Sequence, residues 1–177
     1  MVGEWIIEPS ENFPQKIATA ISGELEVFGC SYTPVLYLGH QIVNGTNHAV
    51  LAEQTVLCGK DVKNAVILVF NEKPASNDVS LAFVLPVLQS GGELGGYEVN
   101  VTTDIPVEAM KAFEESIKTL VGTKYEPIAY LGSQVVNGVN YKLMVTAEAV
   151  TKDPVKKLAV MTVNRKETAL EVEPVAL

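Results

Sequence analysis

From Val107 onward, the apolar residues Val107, Met110, Phe113, Ile117, Leu120 and Val121 recur at three- and four-residue intervals up to Gly122, which predicts one amphipathic helix. Asp104 and Pro106 are placed to start it. Ahead of it, Tyr97 to Thr102 alternates like a short strand, and after it β-rich stretches are expected near 126–136, 140–150, 156–164 and 168–175. The first half of the chain repeats the plan. Phe13, Ile17, Ala20, Ile21 and Phe28 mark a helix, with Gly23 inside it costing on the order of 1 kcal/mol relative to Ala, and strands follow near 33–43, 46–57, 63–71 and 79–88. A helix this short is marginal in water unless its apolar stripe is buried. The expected unit is therefore α+β: one helix cradled by an antiparallel sheet of four to five strands.

The two halves are copies. A shift of 93 positions lays Tyr32-Thr-Pro-Val-Leu-Tyr-Leu-Gly-His-Gln-Ile-Val-Asn-Gly-Thr-Asn-His48 on Tyr125-Glu-Pro-Ile-Ala-Tyr-Leu-Gly-Ser-Gln-Val-Val-Asn-Gly-Val-Asn-Tyr141, with ten of 17 positions identical. Average residue usage would give about one. Each copy holds a full set of elements, so two complete domains are expected, residues 1–88 and 97–177. The stretch 89–96, with four glycines and no periodic apolar pattern, reads as the linker.

Composition narrows the function classes. A hydrophobic fraction of 47% with 19% charged residues is that of a chain able to build a core. The formal charge of −8 would repel phosphate backbones and anionic headgroups, which argues against nucleic acid and membrane partners. Met1-Val2-Gly3-Glu4-Trp5 lacks the basic start and apolar stretch of a secretory signal, so the sequence as it stands reads as cytoplasmic, or as secreted if a signal has been removed. Cys30 and Cys58 are too few for a disulfide scaffold and have no zinc-like spacing. No phosphate-cradling glycine loop occurs, and no cofactor is expected.

Gln134-Val135-Val136-Asn137-Gly138-Val139-Asn140-Tyr141 resembles the first-hairpin signature of the cystatin superfamily, Gln-x-Val-x-Gly followed by Asn-Tyr, and Gln41-Ile42-Val43-Asn44-Gly45 with Asn47 repeats it. Val69-Phe70-Asn71-Glu72-Lys73-Pro74 is similar to the segment before the second hairpin in the stefin branch, whereas Val163-Asn164-Arg165-Lys166-Glu167 departs from it. The glycines Gly3, Gly95 and Gly96 resemble the family's N-terminal trunk. The resemblance implies two tandem cystatin-like domains, each one α-helix wrapped by a four- to five-stranded antiparallel sheet. It further implies reversible, non-covalent inhibition of papain-like cysteine proteases, with trunk and two hairpin tips forming a wedge in the active-site cleft. The implied contact residues are Gly3, Gln41, Ile42, Val43, Asn44, Gly45, Lys73 and Pro74 in the first copy, and Gly95, Gly96, Gln134, Val135, Val136, Asn137 and Gly138 in the second. Asn44 and Asn137 stand where the family usually has alanine, and a polar group buried without a partner costs about 1 to 3 kcal/mol.

Other readings stand beside this one. Asn-Gly between alternating stretches is a strong signal for a plain hairpin turn, and the chain could be a non-inhibitory tandem binding or structural module. An enzyme is not expected: a Cys30/His48 dyad would need an orienting third group and an exposed low-pKa thiol. If the first turn is a three-residue loop, pairing would set Cys30 against Cys58 and allow a disulfide; a two-residue turn would send the side chains to opposite faces.

Overall fold

The structure, a computed structural model, describes residues 3–24, 29–76, 78–91, 95–166 and 170–177. The chain divides into two compact units, 1–89 and 90–177. In the first, strand β1 (Trp5–Ser10) leads into helix α1 (Gln15–Glu24), followed by β2 (Cys30–Val43), β3 (Gly45–Leu57), β4 (Asp61–Glu72) and β5 (Val79–Leu88). In the second, β6 (Glu98–Thr102) leads into α2 (Val107–Ile117), then β7 (Thr123–Val136), β8 (Gly138–Ala149), β9 (Lys156–Asn164) and β10 (Glu171–Pro174). Each unit forms a five-stranded antiparallel sheet in which sequence neighbours are spatial neighbours, with the helix as the connection between the first two strands.

This corrects the expected fold class. Among the described residues there are ten strands and only two short helices, and no domain of one helix wrapped by a sheet is evident. Length supplies one reason: strands of 14 residues run about 46 Å, whereas helices of 10 or 11 residues run about 15 Å and cover only part of a face. Burial supplies the other. Val66, Leu68 and Phe70 on β4 join Ile17 of α1 in one cluster, while Ala65, Ile67 and Val69, which alternate to the opposite face, are just as deeply buried. Consecutive buried apolar positions leave no alternation across 65–70, so the sequence does not mark which side of β4 the helix takes.

The strand ranges otherwise lie close to those read from the sequence, but the helices are shorter. In α2 the buried residues are Ala109, Ala112 and Phe113, with Met110 and Ile117 packed beside them. Val107 and Val121, expected on the stripe, are 67% and 94% exposed. The helix stops at Ile117, ahead of Leu120 and Gly122. Asp104 does not cap it: the N-cap is Pro106, with no side-chain hydrogen bond, and the Asp104 amide donates to Thr102 Oγ1 at 3.0 Å. Phe28, expected on the first helix, lies outside the described residues, as do residues 92–94 of the linker and the first residues of the strand expected at 168–175.

One shared sequence feature has a clear cause. Tyr37-Leu38-Gly39 and Tyr130-Leu131-Gly132 occupy bulged segments of β2 and β7. A Cβ on Gly39, which has φ of 151°, would stand 2.1 Å from the Ile6 carbonyl oxygen, and one on Gly132 would stand 2.5 Å from that of Glu98. The first strand of each unit crosses so closely that only glycine fits.

Candidate functional site

The sequence-predicted contact residues of each unit converge at one end of its sheet. In the first unit Val43 pairs with Gly45 across the β2–β3 turn, leaving Asn44 at the apex. Gly45 has φ of 100°, and a Cβ there would lie 2.1 Å from the Glu72 carbonyl oxygen and 3.2 Å from Pro74 Cδ, so the first tip rests against the base of the second. The second tip is closed by the Lys73 amide donating to the Asp78 carbonyl at 3.0 Å, and Lys73 and Pro74 are exposed on it. Gly3 completes the edge: its amide donates to the Ile42 carbonyl at 2.9 Å. Ile42, on the flank of the first tip, is 52% exposed.

The second unit repeats the arrangement. Val136 pairs with Gly138 around Asn137, and Gly138 has φ of 98°. Its nearest neighbours are side-chain atoms of Asn164 and Lys166, a looser fit than that of Gly45. Val135 and Val136 are exposed. Gly95 and Gly96 lie beside the turn, with Gly96 packed against the Gly91 backbone so closely that a Cβ would meet the Gly91 oxygen at 2.3 Å. Residues 167–169, between β9 and β10, lie outside the described residues.

A ladder of side-chain amides ties these pieces together. Gln41 Nε2 donates to the Gly3 carbonyl at 2.7 Å, Asn47 Nδ2 donates to Gln41 Oε1 at 2.9 Å, and Asn71 Nδ2 donates to Asn47 Oδ1 at 2.8 Å. Register makes this possible, because Gln41 faces Asn47 and Asn47 faces Asn71 on three adjacent strands. The second unit builds the same ladder: Gln134 to Gly95 at 2.6 Å, Asn140 to Gln134 at 3.2 Å, Asn164 to Asn140 at 2.9 Å. Each amide donates to the next carbonyl, so the chain of bonds is mutually polarised and fixes the trunk relative to both tips. Asn71 and Asn164 were not singled out from the sequence. The signal was present, since the 93-residue shift superposes them outside the aligned 17-residue stretch.

Beside the ladder the units differ. In the first, buried His48 shares a 2.9 Å hydrogen bond between its Nδ1 and the Tyr37 hydroxyl, and its Nε2 lies 3.3 Å from Glu72 Oε2. Glu72 in turn pairs with Lys16 of α1. Burial pushes the Tyr37 hydroxyl up to about 12, with Glu8 adding to the effect. Burial also lowers the His48 pKa and outweighs the opposing pull of Glu72. The Lys16 ammonium, with smaller help from His48, holds the Glu72 carboxyl below its ordinary range. In the second unit Tyr141 takes the place of His48, and Arg165 pairs with Glu108 of α2.

The cysteines lie toward the other end of the first sheet. Near the tip the register is that of a three-residue turn, but two bulges in β2 shift it, so Cys30 faces Val56 and not Cys58. Both are free thiols. Cys30 and His48 do not meet either, because Val56 lies eight residues, about 27 Å, along β3 from His48. Among the described residues no group of three His, Cys, Asp or Glu side chains is placed to hold a metal ion, and no helix is long and apolar enough to cross a membrane. No protein-family model matches the chain, and a search of curated proteins gives no match.

Proposed function

We propose that this chain is a reversible, non-covalent inhibitor of papain-like cysteine proteases, acting by insertion of a hairpin edge into the active-site cleft. The observation that supports this most is the common edge formed by Gly3, the Gln41–Gly45 tip and the Lys73–Pro74 tip, pinned by the Gln41–Asn47–Asn71 amides. Such an edge meets the physical demands of a cleft binder. It is fixed before binding, so little conformational freedom is lost on association, and its protruding Ile42 offers apolar surface to bury. On this reading the edge acts by occlusion of the cleft, without chemistry on the protease.

The first unit is the better equipped. Its second tip carries Lys73 and Pro74, and its first tip rests closely against that tip through Gly45, whereas Gly138 of the second unit meets only side-chain atoms of Asn164 and Lys166. The partner is accordingly a protein with a narrow cleft, engaged chiefly by residues 41–45.

The test is a titration of papain and one cathepsin-like relative with the intact chain and with Ile42→Glu and Asn44→Arg variants. Both positions are exposed at the tip and spare the fold; Gly45 is unsuitable because any side chain there strikes Glu72. Inhibition in the parent that is lost in these variants supports the wedge and identifies the first unit. Absence of inhibition at about 10 μM, a binding free energy weaker than roughly 7 kcal/mol, would overturn the proposal.

A further inference from the structure

The duplication poses a folding problem, because the two units are built from equivalent parts. The helices begin alike, with the Ala18 amide donating to the Pro14 carbonyl at 2.9 Å and the Met110 amide to the Pro106 carbonyl at 3.0 Å. Pro14 thus corresponds to Pro106, Lys16 to Glu108, Ile17 to Ala109 and Ile21 to Phe113. On the sheets, the 93-residue shift sets Val50 against Leu143, Phe70 against Val163 and Glu72 against Arg165. Two helices and two sheets so similarly built could dock on each other's partners while the chain folds, a characteristic failure of multidomain and repeat proteins.

At the equivalent place in each unit an ion pair joins the helix to the segment before the last turn, and its polarity is reversed. Lys16 on α1 meets Glu72 on β4, whereas Glu108 on α2 meets Arg165 just past β9. A crossed docking of α1 on the second sheet would set Lys16 against Arg165, and of α2 on the first would set Glu108 against Glu72. Both crossed pairs are like-charged. The apolar surfaces are mismatched in the same sense. The first unit places bulk at Ile17 and Phe70 where the second has Ala109 and Val163, while the second places it at Phe113 and Leu143 where the first has Ile21 and Val50.

We infer that the reversed ion pair is a device that keeps each helix on its own sheet, acting against exchanged docking between the two units, or between two copies of the chain, during folding. The pairs are about half exposed on their helix side, so each contributes little to the stability of its own unit. Their effect lies in the difference between correct and crossed pairing, which is where like-charge contacts discriminate.

The experiment is refolding of the full chain by dilution from denaturant, with the amplitude of slow refolding phases and the monomer yield read by circular dichroism and size-exclusion chromatography. In a Glu108→Lys/Arg165→Glu variant the second unit keeps a pair but now matches the first. The expected result is an unfolding midpoint close to the parent's with about a threefold rise in slow-phase or oligomeric material. Adding Lys16→Glu/Glu72→Arg restores opposition between the units; it removes the Glu72 contact with His48 and so lowers stability, but the slow-phase amplitude should fall back toward the parent's. If the double variant refolds like the parent, or the fourfold variant fails to recover, the inference is overturned.

Discussion

Gln41 donates from its side-chain amide to the backbone carbonyl of Gly3, 38 residues earlier in the chain, at 2.7 Å. Through that bond a residue of the first hairpin holds the segment ahead of the first strand, and Asn47 and Asn71 carry the tie across to the second hairpin. Replacing Gln41 with Leu removes the donor to Gly3 and the acceptor for Asn47. The expected loss is about 1 to 2 kcal/mol of stability by denaturant titration, with faster hydrogen exchange at the Gly3 amide.

The glycine in each Tyr-Leu-Gly segment is expected to be intolerant of the smallest side chain. Gly39→Ala would place a methyl group 2.1 Å from the Ile6 carbonyl oxygen, on backbone of positive φ. A loss of about 3 kcal/mol is expected, seen as a lowered unfolding midpoint and a change in the fluorescence of Trp5 on the displaced strand.

Leu68 is fully buried between α1 and the sheet of the first unit. Leu68→Ala should cost about 2 to 5 kcal/mol, the range set by how far the neighbours can close the space. Chemical denaturation measures it. A change below about 1 kcal/mol would mean that the face is less tightly packed than its burial indicates.

His48 gives the first unit a pH dependence that the second lacks. Its pKa is lowered in the folded state, so the unfolded chain binds the proton more readily. The contribution of neutral His48 is full above the ordinary histidine value of 6.5 and is lost as pH falls below it toward the folded pKa. The lowered Glu72 carboxyl adds in the same direction at more acid pH, its contribution disappearing as pH falls from 4.5 through the folded value. Thermal melts between pH 8 and pH 5 should show a decline in midpoint that is reduced in His48→Tyr, the residue the second unit carries at this place.

Much of the strand layout was legible because alternating stretches ended at turn residues. The expected 79–88 coincides with β5, and 156–164 with β9. Helix ends were less legible: Leu120 and Val121 continue the apolar spacing of α2, yet nothing in the spacing tells whether a sheet extends far enough to cover them. The wrapped-helix expectation failed at a similar point. The run 65–70 is apolar without alternation, so its spacing does not say which face the helix takes or how much of it a helix of ten residues covers. The positions of the tip residues were readable from Gln-x-Val-x-Gly, because a turn needing positive φ is encoded locally. The amide ladder was not, since it depends on register across three strands, and Asn71 and Asn164 carry no local motif.

The bulges of β2 that set Cys30 against Val56 also leave Cys58 as an exposed thiol on the turn between β3 and β4. From Gly45 at the tip to Leu57, the residue before it, β3 runs about 40 Å. A dye or tether placed on Cys58 would therefore stand well clear of residues 41–45, so the chain can be anchored to a surface with its hairpin edge presented outward.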